Sequence, residues 1–165
     1  CLVGSEMCIR DSLLILAEAL YEKNGQITDE QLDLTINDLR NRANMPRLTN
    51  AFVATNGLNM QEEIRRERTV ELAFEGYRRD DLRRWGTAET VLPLAIRGVK
   101  FVGTEYQQKF PELVIGQDIQ VDSEGFIIAQ PASARKFQTP KHWLSPIPLQ
   151  QVQLSKGTLE QNPGW

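Results

Sequence analysis

A chain of 165 residues is long enough to bury one real core, and a single domain is the default reading. With 19 basic residues against 22 acidic ones the net charge is only −3, without the clustered basic surface that nucleic-acid binding requires. No apolar run approaches the roughly 18 residues of a membrane-spanning helix; the longest, residues 13–17, falls far short.

Both cysteines, Cys1 and Cys8, lie in the first ten residues. An N-terminal cysteine invites the reading of an acylated lipoprotein end. The surrounding peptide, residues 1–11, instead resembles one that recurs at the ends of proteins translated from assembled metagenomes, where sequencing adaptor is read in frame. Residues 1–11 are therefore expected to be a non-native segment, to which cysteine and targeting logic do not apply.

Residues 13–24 (LLILAEALYEKN) place Leu13, Leu16, Ala17, Leu20 and Tyr21 at helical spacing, and Gly25 follows as a stop. Thr28 and Gln31 have the spacing of a capping box, opening a second helix with the stripe Leu32, Ile36, Leu39 and Ala43. Pro46 limits that helix to about Asn44. Two helices joined by a short loop make an αα-hairpin, the unit of helical solenoids.

A polar connection over residues 49–56 leads to Asn59 and Glu62, which cap a third helix expected to run to about Glu75. Gly76 breaks it, and residues 77–85 form a short fourth helix closed by Gly86. Beyond residue 91 the helical period is lost. Residues 91–138 read as loops with a short hairpin around 122–125 and at most one brief helix. The proline-punctuated tail from Leu144 is expected to lie extended against the body.

Glu67, Glu71 and Glu75 fall at i, i+4 and i+8, so one face of the third helix stacks like charges that repel unless cations intervene. Arg68, Arg78, Arg79, Arg83 and Arg84 are at hand to supply them. Carboxylates so arranged also suggest acid–base catalysis or a metal. A helical di-iron site needs Glu-x-x-His pairs, however, and the one histidine, His142, is remote. The sequence offers no second catalytic acid, no Gly-rich phosphate loop and no nucleophile elbow. A partly buried Arg–Glu network is the reading taken; no catalytic residue, metal ligand or cofactor is assigned.

His142 and Trp143 stand before Leu144-Ser-Pro-Ile-Pro148, which suits core anchoring, although a tryptophan also stacks on sugars or bases. Tyr106, Phe101 and Phe110 sit in the irregular region, where loops commonly display binding aromatics.

Residues 67–86, ERTVELAFEGYRRDDLRRWG, closely resemble the signature of the SusD/RagB family, E-R-x-x-E-L-x-F-E-G-x-R-x-x-D-L-x-R-W. Glu67, Arg68, Glu71, Leu72, Phe74, Glu75, Gly76, Arg78, Asp81, Leu82, Arg84 and Trp85 match it throughout. Ala17-Glu18-Ala19 and Leu39-Arg40-x-Arg42 resemble the family's preceding helix pair. Leu144-Ser-Pro-Ile-Pro148 and Gln161-Asn-Pro-Gly-Trp165 resemble its C-terminal ending. Members are several times longer, so residues 12–165 are expected to be the C-terminal part of such a domain.

The resemblance implies a mostly α fold with tetratricopeptide-like helix pairs and an irregular, loop-rich C-terminal region. It implies a non-catalytic nutrient-binding lipoprotein, lipid-anchored on the surface of the outer membrane. Family members capture glycans, and in some cases peptides, beside a SusC-type TonB-dependent transporter. Ligand contacts lie outside the shared motif, so the ligand-binding residues stay unknown, with residues 101–138 expected to hold part of the site. The competing reading is a helical-repeat scaffold for a protein or peptide partner.

Overall fold

A computed structural model describes residues 5–165, with side chains from Ile9 onward, as two compact units, the chain passing from one to the other between Arg78 and Arg79. The first unit is helical: α1 (Ser5–Asn24), α2 (Asp29–Asp33), α3 (Ile36–Arg42), α4 (Asn50–Thr55) and α5 (Met60–Glu71). The mostly α class expected from the sequence is what is found. Helix α1 packs against α3 and α5.

Helix α1 stops where Gly25 takes φ +68° and its amide returns to the Tyr21 carbonyl at 2.8 Å. Its buried face is Leu14, Ala17 and Glu18, flanked by the partly covered Leu13, Leu20 and Tyr21. Leu16, placed in the stripe by sequence, is exposed. The core-facing line runs through Leu14 and Ala17 instead, and Leu13–Ala17 is apolar at every position, so periodicity could not choose the face.

The Thr28–Gln31 capping box forms in full. The helix it opens divides into α2 and α3, contrary to the continuous one expected. The Thr35 hydroxyl donates to the Gln31 carbonyl at 2.7 Å, a back-bond that competes with the backbone ladder and bends it. Leu32, Ile36 and Leu39 are buried as the stripe requires, while Ala43 lies past the helix end and is exposed. There Asn44 adopts φ +53°, and Met45 N–H donates to the Arg40 carbonyl at 2.8 Å, a Schellman closure just before Pro46.

The expected polar connection contains α4, capped by the Thr49 hydroxyl, which accepts from the Phe52 amide at 3.1 Å. Asn59 caps α5 by accepting from the Glu62 amide. Helix α5 ends at Glu71, four residues short of the expected limit, because Phe74 turns the chain at φ +65° ahead of Gly76. Leu14, Ala17, Ile27, Leu32, Ile36, Leu39, Leu48, Val53, Met60, Ile64 and Leu72 form the core of this unit. Asn37, 1% exposed, is built into it: its amide donates to the Leu48 carbonyl at 2.9 Å and accepts from the Leu48 amide at 2.7 Å.

Helix α6 (Arg78–Arg84) leads into the second unit and closes at Gly86, as expected. After α7 (Ala88–Val91), strand β1 (Ile96–Lys100) pairs antiparallel with β2 (Phe126–Gln130), and helix α8 (Glu105–Lys109) stands between them in the chain. The small hairpin at 122–125 is present, with Val121 bridging Ile127 and the Asp122 amide bonding the Phe126 carbonyl at 2.9 Å. Leu82, Ala88 and Phe101 are the buried apolar side chains described here, so bonded turns carry much of the order.

The tail is not simply extended. It contains α9 (Leu149–Leu154) and then folds back. The Asn162 amide donates to the Ser145 carbonyl at 2.6 Å, and the Trp165 indole N–H donates to the Lys141 carbonyl at 2.8 Å. The two C-terminal motifs singled out by sequence are thus in contact.

Candidate functional site

The charged stretch resolves into a network whose cations include Arg10, Arg40 and Arg42. Arg40 donates from Nε and Nη2 to one oxygen of Glu67, at 3.0 and 2.7 Å. Glu71 takes Arg42 at 2.6 Å and Arg10 at 3.1 Å; Glu75 takes Arg10 at 2.8 Å. The Glu75 hydrogen bond leads in holding the Arg10 guanidinium above its ordinary value, against the opposing pull of burial. Arg68 pairs with Asp11 at 2.6 Å, and its guanidinium carbon lies 5.5 Å from the Tyr77 ring centre. Arg10 and Asp11 belong to the segment expected to be foreign, yet α1 runs through them.

Arg40 and Arg42, in the last turn of α3, reach Glu67 and Glu71 on α5. Of the arginines expected to do this, Arg78 bonds the Thr69 hydroxyl at 2.7 Å, and Arg84 bonds Asp81 at 2.9 Å in its own helix. Because α5 ends at Glu71, Glu75 is not on the helical face of Glu67 and Glu71. Each of the three acids has an arginine within bonding distance. Such carboxylates fasten helices together, and a proton acceptor would have to be freed from its cation first.

The aromatics divide differently from expectation. Phe101, counted among the loop-displayed rings, is 2% exposed and anchors the second unit, while Tyr106 and Phe110 are exposed. His142 and Trp143 anchor to other aromatic rings and not to an apolar core. Phe137 meets Trp143 edge-on at 4.9 Å and His142 at 5.6 Å, and His142 lies 6.2 Å from Trp165.

Phe137, His142 and Trp165 border an open cleft of about 430 Å³ in the second unit, lined also by Arg79, Leu92, Gln130, Ala134, Arg135 and Lys136. Gln130 to Phe137 fall within the stretch expected to hold part of a site; Arg79, His142 and Trp165 do not. Arg135 is held by two bonds, Nε to the Leu92 carbonyl at 2.8 Å and Nη1 to Gln130 at 3.0 Å. His142 Nδ1 accepts from the Gln138 amide at 3.0 Å, which puts the proton of the neutral ring on Nε2. Lys141 Nζ stands 4.3 Å from the Trp165 ring centre. Rings with planar amide and guanidinium groups around an open cleft can hold a polar ligand with apolar faces. The sequence signal was the run Arg135-Lys136-Phe137, basic beside aromatic in an irregular segment.

Residues 7–165 match the model of the SusD family. The solved structure of a SusD-like carbohydrate-binding protein from Bacteroides fragilis is similar at 31% identity and a TM-score of 0.62. The match covers 88% of this chain and 26% of that one, so the chain spans about a quarter of its solved relative. No curated protein matches. A family match over nearly the whole length, joined to a helical fold held by the same charged stretch, leads to one conclusion: this chain belongs to the SusD family.

Proposed function

We propose that the chain serves a glycan-binding component of a nutrient-uptake complex on the outer membrane, and that its second unit contributes a sugar-contacting cleft. The observation that carries the proposal is the cleft itself, where Trp165, Phe137 and His142 stand beside Arg135 and Gln130. A sugar ring has apolar C–H faces and a rim of hydroxyls, so aromatic rings and fixed planar donors complement both. The solved relative's description as a carbohydrate-binding protein supports the same ligand class. In this reading no bond of the ligand is broken. The protein is lipid-tethered to the cell surface and hands its ligand to a SusC-type TonB-dependent transporter.

The test is native affinity electrophoresis of the protein against a panel of neutral and acidic polysaccharides. Retardation by at least one is expected, and Trp165→Leu should weaken it roughly tenfold, as for an anchoring aromatic. Binding to none of them, with transporter association retained, would support the helical scaffold for a protein or peptide instead.

A further inference from the structure

The cleft's electrostatics carry the ligand class further. Resting on the glycan-binding reading, we infer that the cleft takes an anionic glycan, one whose sugar carries a carboxylate or a sulfate ester. Arg79, Arg135 and Lys136 line it, and no aspartate or glutamate does. Over the whole chain acids outnumber bases, 22 to 19, so this concentration of positive charge runs against the average. Elsewhere in the second unit cations stand beside acids: Arg97 with Asp122 and Glu124, Lys109 with Glu105, Arg84 with Asp81.

Arg79 and Lys136 make no ion pair among the described residues. Arg135 is the most directed of the three. Its Nε and Nη1 are spent on Leu92 and Gln130, which fix the plane of the guanidinium, and its Nη2 donates to no protein group among the described residues. A planar cation fixed by two of its donors is preorganised to receive a carboxylate or sulfate oxygen at the third, Nη2. Phe137, His142 and Trp165 then face the ring that carries the anion. Uncompensated cations in an open cleft repel one another, and an anionic ligand removes that repulsion as it binds. Affinity should therefore fall as salt is raised.

The experiment compares matched pairs by native affinity electrophoresis: polygalacturonate against its methyl ester, and dextran sulfate against dextran. The anionic member of at least one pair should bind roughly tenfold more tightly, as one charge-assisted hydrogen bond provides. Which pair responds tells carboxylate from sulfate. Arg79→Gln and Lys136→Gln, both at exposed positions, should each remove most of the preference. Lys23→Gln, an exposed charge change in the first unit, should leave it intact. Equal binding within both pairs overturns the inference and leaves the glycan reading standing. An equal loss in Lys23→Gln also overturns it, since the preference would then be general adhesion of polyanions. Failure of every polysaccharide in the wider panel sinks both.

Discussion

Arg40 meets Glu67 with two donors on a single carboxylate oxygen, Nε at 3.0 Å and Nη2 at 2.7 Å, while its Nη1 reaches the Pro46 carbonyl at 3.2 Å. One guanidinium thereby ties α3 to α5 and to the loop between α3 and α4. The Arg40 side chain is 9% exposed and that of Glu67 16%, so neither partner is well hydrated if left alone.

Arg40→Ala is expected to cost on the order of 3–5 kcal/mol in denaturant unfolding, the range for removing one partner of a buried pair. Glu67→Gln should cost clearly less, because its carboxamide oxygen still accepts. Equal losses in the two variants would mean that the charge, and not the geometry, holds the helices.

Asn37 gives a second test inside the first core. Its carboxamide pairs with both backbone groups of Leu48 and also donates to Asp33 Oδ1 at 2.7 Å. Asn37→Asp keeps the acceptor for the Leu48 amide but loses both donations and sets a buried carboxylate against Asp33. It should destabilise more than Asn37→Leu, which leaves the two Leu48 groups orphaned at about 1–3 kcal/mol each without adding charge. Thermal unfolding of the pair decides it, and a milder Asp variant would contradict the assignment.

Parts of this fold were legible because their chemistry is local. Thr28 with Gln31, Asn59 before α5, and Gly25 and Gly86 at helix ends act on neighbours within five residues. What failed depended on distant or competing partners. Thr35 splits a helix whose stripe was correctly read, because its hydroxyl takes a carbonyl that periodicity cannot weigh. Strand β1 is exposed along its length, so it lacks the alternation that marks a half-buried strand. Its partner β2 lies beyond a helix. The Arg–Glu network was foreseen, but Arg10, Arg40 and Arg42 come to it from α1 and α3, 27 or more residues away in the chain. The cleft draws Arg79, Gln130 and Trp165 from far apart in the chain, and no spacing rule spans that distance.

The turn before β2 should be acid-sensitive. Burial pulls the Asp122 carboxyl upward, yet the Phe126 and Glu124 amides and the Arg97 charge outweigh it and hold the group below its ordinary 3.8. A lowered native value means the folded turn prefers the ionised form. Its contribution is present above 3.8 and is lost as pH falls through the lower native value. Hydrogen exchange at the Phe126 amide, which donates to Asp122 Oδ1 at 3.0 Å, should accelerate in that window beyond its intrinsic pH dependence. Asp122→Asn should remove the extra step. A step that survives in the variant would place the titration elsewhere.

Gly125 sets the geometry of the same turn at φ +86°, and a Cβ built there would lie 2.8 Å from Val102 Cβ. Gly125→Ala is expected to destabilise the second unit by about 1–3 kcal/mol through backbone strain alone, with the clash added. Because the contact is with Cβ itself, Val102→Ala cannot relieve it, and Val102→Gly can relieve only the steric part. Full recovery in the Gly125→Ala, Val102→Gly double variant, measured against Val102→Gly by urea unfolding, would show that the left-handed backbone costs nothing there.

The tail clamp ties the last motif to the rest of the second unit. Gln161 Oε1 accepts from the Ile147 amide and Gln161 Nε2 donates to the Ile147 carbonyl, both at 2.8 Å, so one side chain mimics a strand partner. Oε1 also accepts from the Asn162 amide at 2.9 Å, fixing the carboxamide's orientation. Gln161→Glu retains both acceptances and loses the donation, whereas Gln161→Ala loses all three. Tail release should therefore grow from wild type to Glu to Ala, with Ala costing about 1–2 kcal/mol locally. The readout is exchange of the Ile147 amide together with that of Trp165, whose backbone N–H donates to the Asn162 carbonyl at 3.2 Å and whose indole bond to Lys141 sits at the cleft wall. If Ile147 exchanges faster while the Trp165 amide keeps its protection, the tail is held by the Trp165 indole instead. Glycan affinity should then follow Trp165 and be indifferent to Gln161.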